Sequence, residues 1–266
     1  MTKPQILLTN DDGILSPGLW AAAESLSELG FVHVVAPREQ STGMGRSMPN
    51  TSDGIIAPQE VVIKGKTWTV YAVGGTPAQA VQHGILEVLP TRPDLVVSGI
   101  NYGENLGTGI TISGTVGAAM EAASLNVPGL AVSLETDVAH HHSYSNEVDF
   151  SASAYFTAYF ARIMLERQLP PDVDILKVDL PANATPETEW VITRLSRKRY
   201  FEPTPPQRGV WSLPGRPGYR RSDELENFEP DTDVYAVLVR RLVSVTPVSL
   251  DMTSRVDLGQ FRSLLR

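Results

Sequence analysis

Two acids stand side by side in Asn10-Asp11-Asp12-Gly13, directly after the apolar run QILLT. Adjacent carboxylates with hydroxyl and amide oxygens nearby make a hard, all-oxygen site suited to one Mg²⁺ or Mn²⁺ ion, with water or a substrate phosphate in the remaining positions. Taken alone, the tetrapeptide reads as well as a turn with an Asx cap. Two further polar sets follow apolar runs: Pro37-Arg38-Glu39-Gln40-Ser41-Thr42 after VHVVA, and Gly99-Ile100-Asn101 after DLVVS. If the three runs are strands of one parallel sheet, the sets meet at its carboxyl edge, where such sheets bind ligands. A cation there would offset the repulsion that otherwise raises one carboxyl pKa.

A fourth segment, GINYGENLGTGITISGTVG at 99–117, combines glycines with Ser113, Gly114 and Thr115 at an expected helix start. Backbone N–H groups at such a start receive phosphate; an ordinary Ser/Thr cap is the plainer reading. The glycine spacing is neither G-x-G-x-x-G nor a Walker A motif, which discounts a nicotinamide cofactor and a P-loop ATPase. Ser113 does not sit in a G-x-S-x-G elbow, so acyl transfer is disfavoured. The chain has no cysteine, which excludes disulfides, thiolate metal sites, iron–sulfur clusters and a cysteine nucleophile. The run His140-His141-His142 cannot aim every ring at one ion and reads as a solvated loop. His33 in a strand and His83 on a helix read as packing or capping residues, so none of the five histidines is expected to bind metal.

Positioning these sets requires alternating elements, and the sequence supplies them. Over 266 residues, strand-like runs at 5–9, 32–36, 94–98, 129–134 and 174–180 alternate with helical patterns near 17–29, 77–89, 115–125 and 147–167. Residues 55–73 read as two or three further strands. The βαβα order predicts an α/β fold with a doubly wound, mostly parallel, Rossmann-like sheet. Beyond about residue 198 the texture becomes rich in Pro, Gly and aromatics, so residues 1–198 read as the core and 199–266 as an arm. Within the latter, DVYAVLV and LVSVTPV read as a strand pair and VDLGQFRSLL as a terminal helix. Such an extension closes an active site or binds another subunit; the exposed aromatics Trp211 and Tyr219 favour the interface. Thirty acids against 22 Lys and Arg make duplex nucleic acid a poor partner. No stretch approaches the roughly 18 apolar residues of a membrane span, and the expected setting is soluble and cytoplasmic.

The motifs ILLTNDDGILSPGL, VVAP with its Ser/Thr-Gly segment, GGTPAQAV, DLVVSGINYGENLG, ISGTVGAAMEA and VSVTP occur in the order found in the SurE family of survival-protein nucleotidases. The chain resembles that family over most of its length. The resemblance implies a metal-dependent phosphomonoesterase acting on nucleoside 5′- and also 3′-monophosphates, with a C-terminal part that joins subunits into homodimers or homotetramers. It implies metal ligation by Asp11, Asp12, Asn101 and a hydroxyl of the loop after the second strand. Family members usually carry serine five positions beyond the proline of V-V-A-P. Here that position is Thr42, while a slip of one residue gives the role to Ser41. Gly43 belongs to the same loop on the substrate side. Asn105 and the Ser113-Gly114-Thr115 start would hold phosphoryl oxygens, Asn10 would shape the loop, and a metal-activated water would attack phosphorus in line. Two other classes fit the residues: a non-catalytic nucleotide-binding regulator, and a glycosyltransferase-like enzyme using nucleotide sugars. The latter lacks an evident acceptor domain.

Overall fold

The structure, a computed structural model, describes residues 3–141, 144–145 and 147–266. Strand β1 (Gln5–Thr9) leads through helix α1 (Pro17–Leu26) to β2 (Phe31–Pro37). An antiparallel hairpin follows, β3 (Ile56–Ile63) and β4 (Lys66–Val73). Its two turn residues, Lys64 and Gly65, have φ of 46° and 78°, the positive values that a tight hairpin turn demands. Helix α2 (Pro77–His83), capped by Thr76 and Gln79, ends in a π turn at Gly84–Val88. Then come β5 (Leu95–Tyr102), α3 (Gly114–Ser124), β6 (Gly129–Leu134), α4 (Ser151–Glu166) and β7 (Ile175–Leu180). The remainder contributes β8 (Trp190–Ile192), β9 (Phe201–Thr204), β10 (Gly218–Arg221), α5 (Asp233–Leu238), β11 (Val243–Val248) and α6 (Leu258–Leu264).

Nine strands form one sheet in the order β3-β4-β2-β1-β5-β6-β7-β11-β8, parallel except at β3/β4 and β7/β11. The order reverses beside β1, whose partners are β2 and β5, so the crevice beyond the carboxyl ends of β1 and β5 is the expected ligand position. The sheet is apolar on both faces, with strand residues alternating between two cores. Ile6, Leu8, Val34 and Val97 pack with α1 and α4. Leu7, Val35 and Val96 pack with α2 and α3.

Two expectations for the C-terminal part need correction. DVYAVLV is not a strand: Asp233–Leu238 is helical, and Val234 and Val237, three apart, pack with Leu106, Tyr200 and Phe228. The hairpin lies earlier, where β9 pairs with β10 inside the Pro-rich arm. β11 pairs with β7 and β8 within the main sheet, so part of 199–266 belongs to the layer that holds the core.

The fit of α1 on the sheet is close. A Cβ at Gly18 would lie 2.1 Å from the Ile100 carbonyl oxygen, at the end of β5 where the crevice opens. Gly18→Ala should therefore destabilise the protein by roughly 2 kcal/mol despite alanine's better helix propensity. Urea unfolding checks this, and an unchanged or raised midpoint would contradict the packing.

Candidate active site

Asp11 and Asp12 stand just beyond β1, after Asn10, and are almost fully buried. The turn that carries them is closed by Asn10, whose amide nitrogen donates to the Gly13 carbonyl at 3.0 Å while its oxygen accepts the Gly13 N–H at 3.1 Å. Each neighbouring segment is then bonded to the pair. From the loop after β2, the Ser41 N–H donates to the Asp11 carbonyl at 2.7 Å. From β5, the Tyr102 N–H donates to Asp12 Oδ2 at 3.1 Å. From the first turn of α3, the Thr115 hydroxyl donates to Asp11 Oδ1 at 2.5 Å.

Burial raises the Asp11 carboxyl to about 6, although bonds from Thr115 and from the Gly114 backbone lower it. Burial and the adjacent Asp11 charge push Asp12 well above the usual carboxylate range. Among the described residues, no Lys or Arg forms an ion pair with either acid. The pair is thus a desolvated anionic site without a protein cation, the condition that a divalent metal relieves. No group of three His, Cys, Asp or Glu able to hold a metal occurs among the described residues. Neutral oxygens must therefore complete a ligand set, and the neighbours supply them. The Asn101 amide nitrogen donates to the Gly103 carbonyl at 2.6 Å, so its side-chain oxygen is the atom left to meet a cation.

Ser41 is half-buried and its hydroxyl donates to the Glu39 carbonyl at 3.3 Å, while Thr42 and Gly43 are exposed. Their loop is clamped onto α3: Arg46 Nε donates to Glu121 Oε2 at 2.7 Å, and Gln82 binds the other oxygen at 2.8 Å. A Cβ at Gly117 would lie 2.3 Å from the Gly45 carbonyl. Ser113 caps α3 by accepting the Val116 N–H at 3.1 Å. The α3 start faces Asp11, where its amides favour a negative charge. Asn105 lies farther along the crevice, with its Nδ2 donating to Ser133 Oγ at 2.9 Å.

A family model described as "Survival protein SurE" matches residues 6–202. The chain belongs to the SurE family. It is 47% identical to the 5′-nucleotidase SurE of Thermococcus gammatolerans, over 98% of this chain and 96% of that protein. It is 45% identical to the 5′-nucleotidase SurE of Thermococcus kodakarensis, over 98% of each. The crystal structure of the SurE protein from Aquifex aeolicus is 32% identical, with a TM-score of 0.74 over 99% of this chain and 100% of that one.

Around this SurE-family site stand residues to which the sequence reading gave no place in it. Tyr144 donates its hydroxyl to the Asp12 carbonyl at 2.7 Å. Gln40 donates to the His141 carbonyl at 2.7 Å and reaches Asp12 Oδ1 at 3.4 Å. The expectation of a solvated histidine loop fails for His141, which is buried. Its Nδ1 lies 3.1 Å from the Tyr219 hydroxyl of β10, and the two rings stack. His142 lies outside the described residues. Beside Tyr219, Arg221 binds the buried Glu104 at 3.0 Å and the Thr136 carbonyl at 2.6 Å. The arm hairpin is thus tied to the loop after β5.

Burial raises the Glu104 carboxyl to about 7, against the opposing pull of Arg221. The folded state holds this proton to higher pH than the unfolded chain, so the cost of ionising Glu104 is absent below about 4.5 and complete above about 7. Glu104→Gln removes that cost. Its stability relative to the unsubstituted chain should rise across this window by roughly 3 kcal/mol. Denaturant midpoints measured from pH 4.5 to 7.5 decide it, and a flat difference would refute the assignment.

Proposed function

We infer that this SurE-family chain hydrolyses nucleoside monophosphates to nucleoside and phosphate. The observation that carries this reading is the convergence of two strand-end segments and one helix start on the buried Asp11–Asp12 pair at the end of a third strand. Its full-length relatives are named 5′-nucleotidases. Asp11, Asp12, Asn101 and the hydroxyl of Ser41 or Thr42 would hold one Mg²⁺ or Mn²⁺ ion. Such an ion supplies Lewis-acid polarisation of a phosphoryl oxygen and activation of water.

The protein's own groups do the rest. Thr115 and the α3 amides fix the Asp11 carboxylate, and the Tyr102 N–H fixes that of Asp12, so both acids are preorganised before substrate arrives. Asn105, with Ser113 and Gly114 at the α3 start, holds the phosphoryl oxygens on which charge spreads in the transition state. Beside Ser41 opens a cavity of about 380 Å³, lined in part by Gln40, Met44, Asp53, Gly74 and Thr76. A phosphate bound at the acids would extend its nucleoside into that space, with Gly43 at its rim.

We also assign to segment 199–266 the joining of subunits into a homodimer or homotetramer. Supporting this, Trp211 is 92% exposed and α6 carries Leu258, Phe261 and Leu264 on the surface, apolar side chains of the kind that subunit interfaces cover. Light scattering should show a dimer or larger, reduced by Leu264→Asp; a monomeric unsubstituted chain would refute it.

The hydrolase reading is tested by phosphate release from 5′- and 3′-nucleoside monophosphates with and without Mg²⁺ or Mn²⁺. Turnover should require the metal, and Asp11→Asn should lower kcat by on the order of 10²-fold or more while weakening Mn²⁺ binding in calorimetry. Nucleotide binding without phosphate release under either metal would establish a binding protein instead.

A further inference from the structure

Among the described residues, the largest fully buried side chain is a charged one, Lys177 on β7. Its ammonium contacts Asp179 on the same strand and lies 3.2 Å from Asp233 at the start of α5, and both carboxylates are fully buried. Burying three charges is unfavourable unless every polar atom finds a partner, so the partners reveal what the cluster holds. Asp179 Oδ1 accepts the Asn105 N–H at 2.7 Å. Lys177 Nζ donates to the Asn105 carbonyl at 3.0 Å. Asp233 Oδ2 accepts the Gly107 N–H at 2.8 Å, and its Oδ1 accepts that of Ser196 at 3.0 Å. Both backbone groups of Asn105 are therefore held by the cluster, and its side chain by Ser133.

The sheet register explains why these residues meet. Asn101 on β5 pairs with Ser133 on β6, and Ser133 pairs with Asp179 on β7. The cluster thus stands two strands from Asn101, about 10 Å along one row, and the loop after β5 folds back over that row. One cation against two carboxylates leaves it net negative, so it cannot act by attracting phosphate.

We propose that Lys177, Asp179 and Asp233 form a positioning triad that holds Asn105 where it binds the phosphoryl group. This rests on the hydrolase reading for its consequence in turnover, but not for its consequence in phosphate binding. The C-terminal segment then takes part in the site through Asp233, which anchors Gly107 at the far end of the same loop.

A double-mutant cycle with Asp179→Asn and Asn105→Ala tests the triad, because residues acting through one another are non-additive. Four quantities are measured on the full chain: affinity of the Mn²⁺-saturated protein for inorganic phosphate, kcat and KM for a nucleoside monophosphate, Mn²⁺ affinity, and Tm. Each single substitution should weaken phosphate at least about fivefold and lower kcat about tenfold or more, with Mn²⁺ affinity within about twofold. The double variant should be no worse than Asn105→Ala. If Asp179→Asn does not fold, Lys177→Arg, which keeps the charge but shifts the donor, enters the same cycle. Additive losses, or a lowered Tm with phosphate affinity unchanged, would reduce the triad to a purely structural role. Phosphate binding without turnover in the unsubstituted chain would refute the hydrolase reading while the cycle still decides the triad. Absence of phosphate binding in the unsubstituted chain would overturn both.

Discussion

Two carboxylates buried side by side repel one another and lose their hydration, and the architecture around Asp11 and Asp12 answers that constraint. Each acid receives a hydrogen bond from a different part of the fold: Asp11 from the first turn of α3 and Asp12 from the backbone of β5. These bonds reduce the cost of the charges without cancelling it, since both carboxyls stay above their ordinary range. The remainder is available to a cation. Acids held in place by bonds from separate elements before any ligand arrives have the preorganisation that electrostatic catalysis uses.

That constraint also explains the close contacts nearby. Gly114 presses against Asp11, where a Cβ would lie 2.7 Å from that of the aspartate, and Gly117 admits the loop that carries Ser41. Small residues in the first turn of α3 let the helix start approach the acids from one side. On the other side, Asn10 closes its own turn, so the backbone bearing both acids is held from within and without. A second polar centre, Lys177 with Asp179 and Asp233, lies at the opposite end of the loop after β5. The two centres bracket residues 101–107 and tie the C-terminal segment to the crevice.

Much of this was legible in the sequence. The parallel strands announced themselves as short β-branched runs because both of their faces are buried, and the polar sets at the carboxyl ends of β1, β2 and β5 do meet at one edge, although Gly99, Ile100 and Asn101 belong to β5 itself. The reading failed where local pattern and tertiary demand differ. Residues 233–239 carry β-branched side chains that suit a strand, yet Val234 and Val237 pack on one helical face with Leu106, Tyr200 and Phe228. Tertiary packing overrode propensity there. His141 looked like part of a solvated run because three consecutive rings cannot all aim at one ion and the run falls between expected elements. In the fold it packs against Tyr219, which is 78 residues away, and Phe201.

The order of the elements through β7, the polar sets at the strand ends and the family motifs could be read from the sequence, because each is encoded within a few residues. The pairing of distant groups emerges in the folded chain alone: Tyr102 with Asp12 across 90 residues, Thr115 with Asp11 across 104, and Asp233 with Gly107 across 126. The physical reason is that a buried polar group is stabilised by whichever partner the sheet order and register bring to it. No periodicity or local propensity records that partner's position.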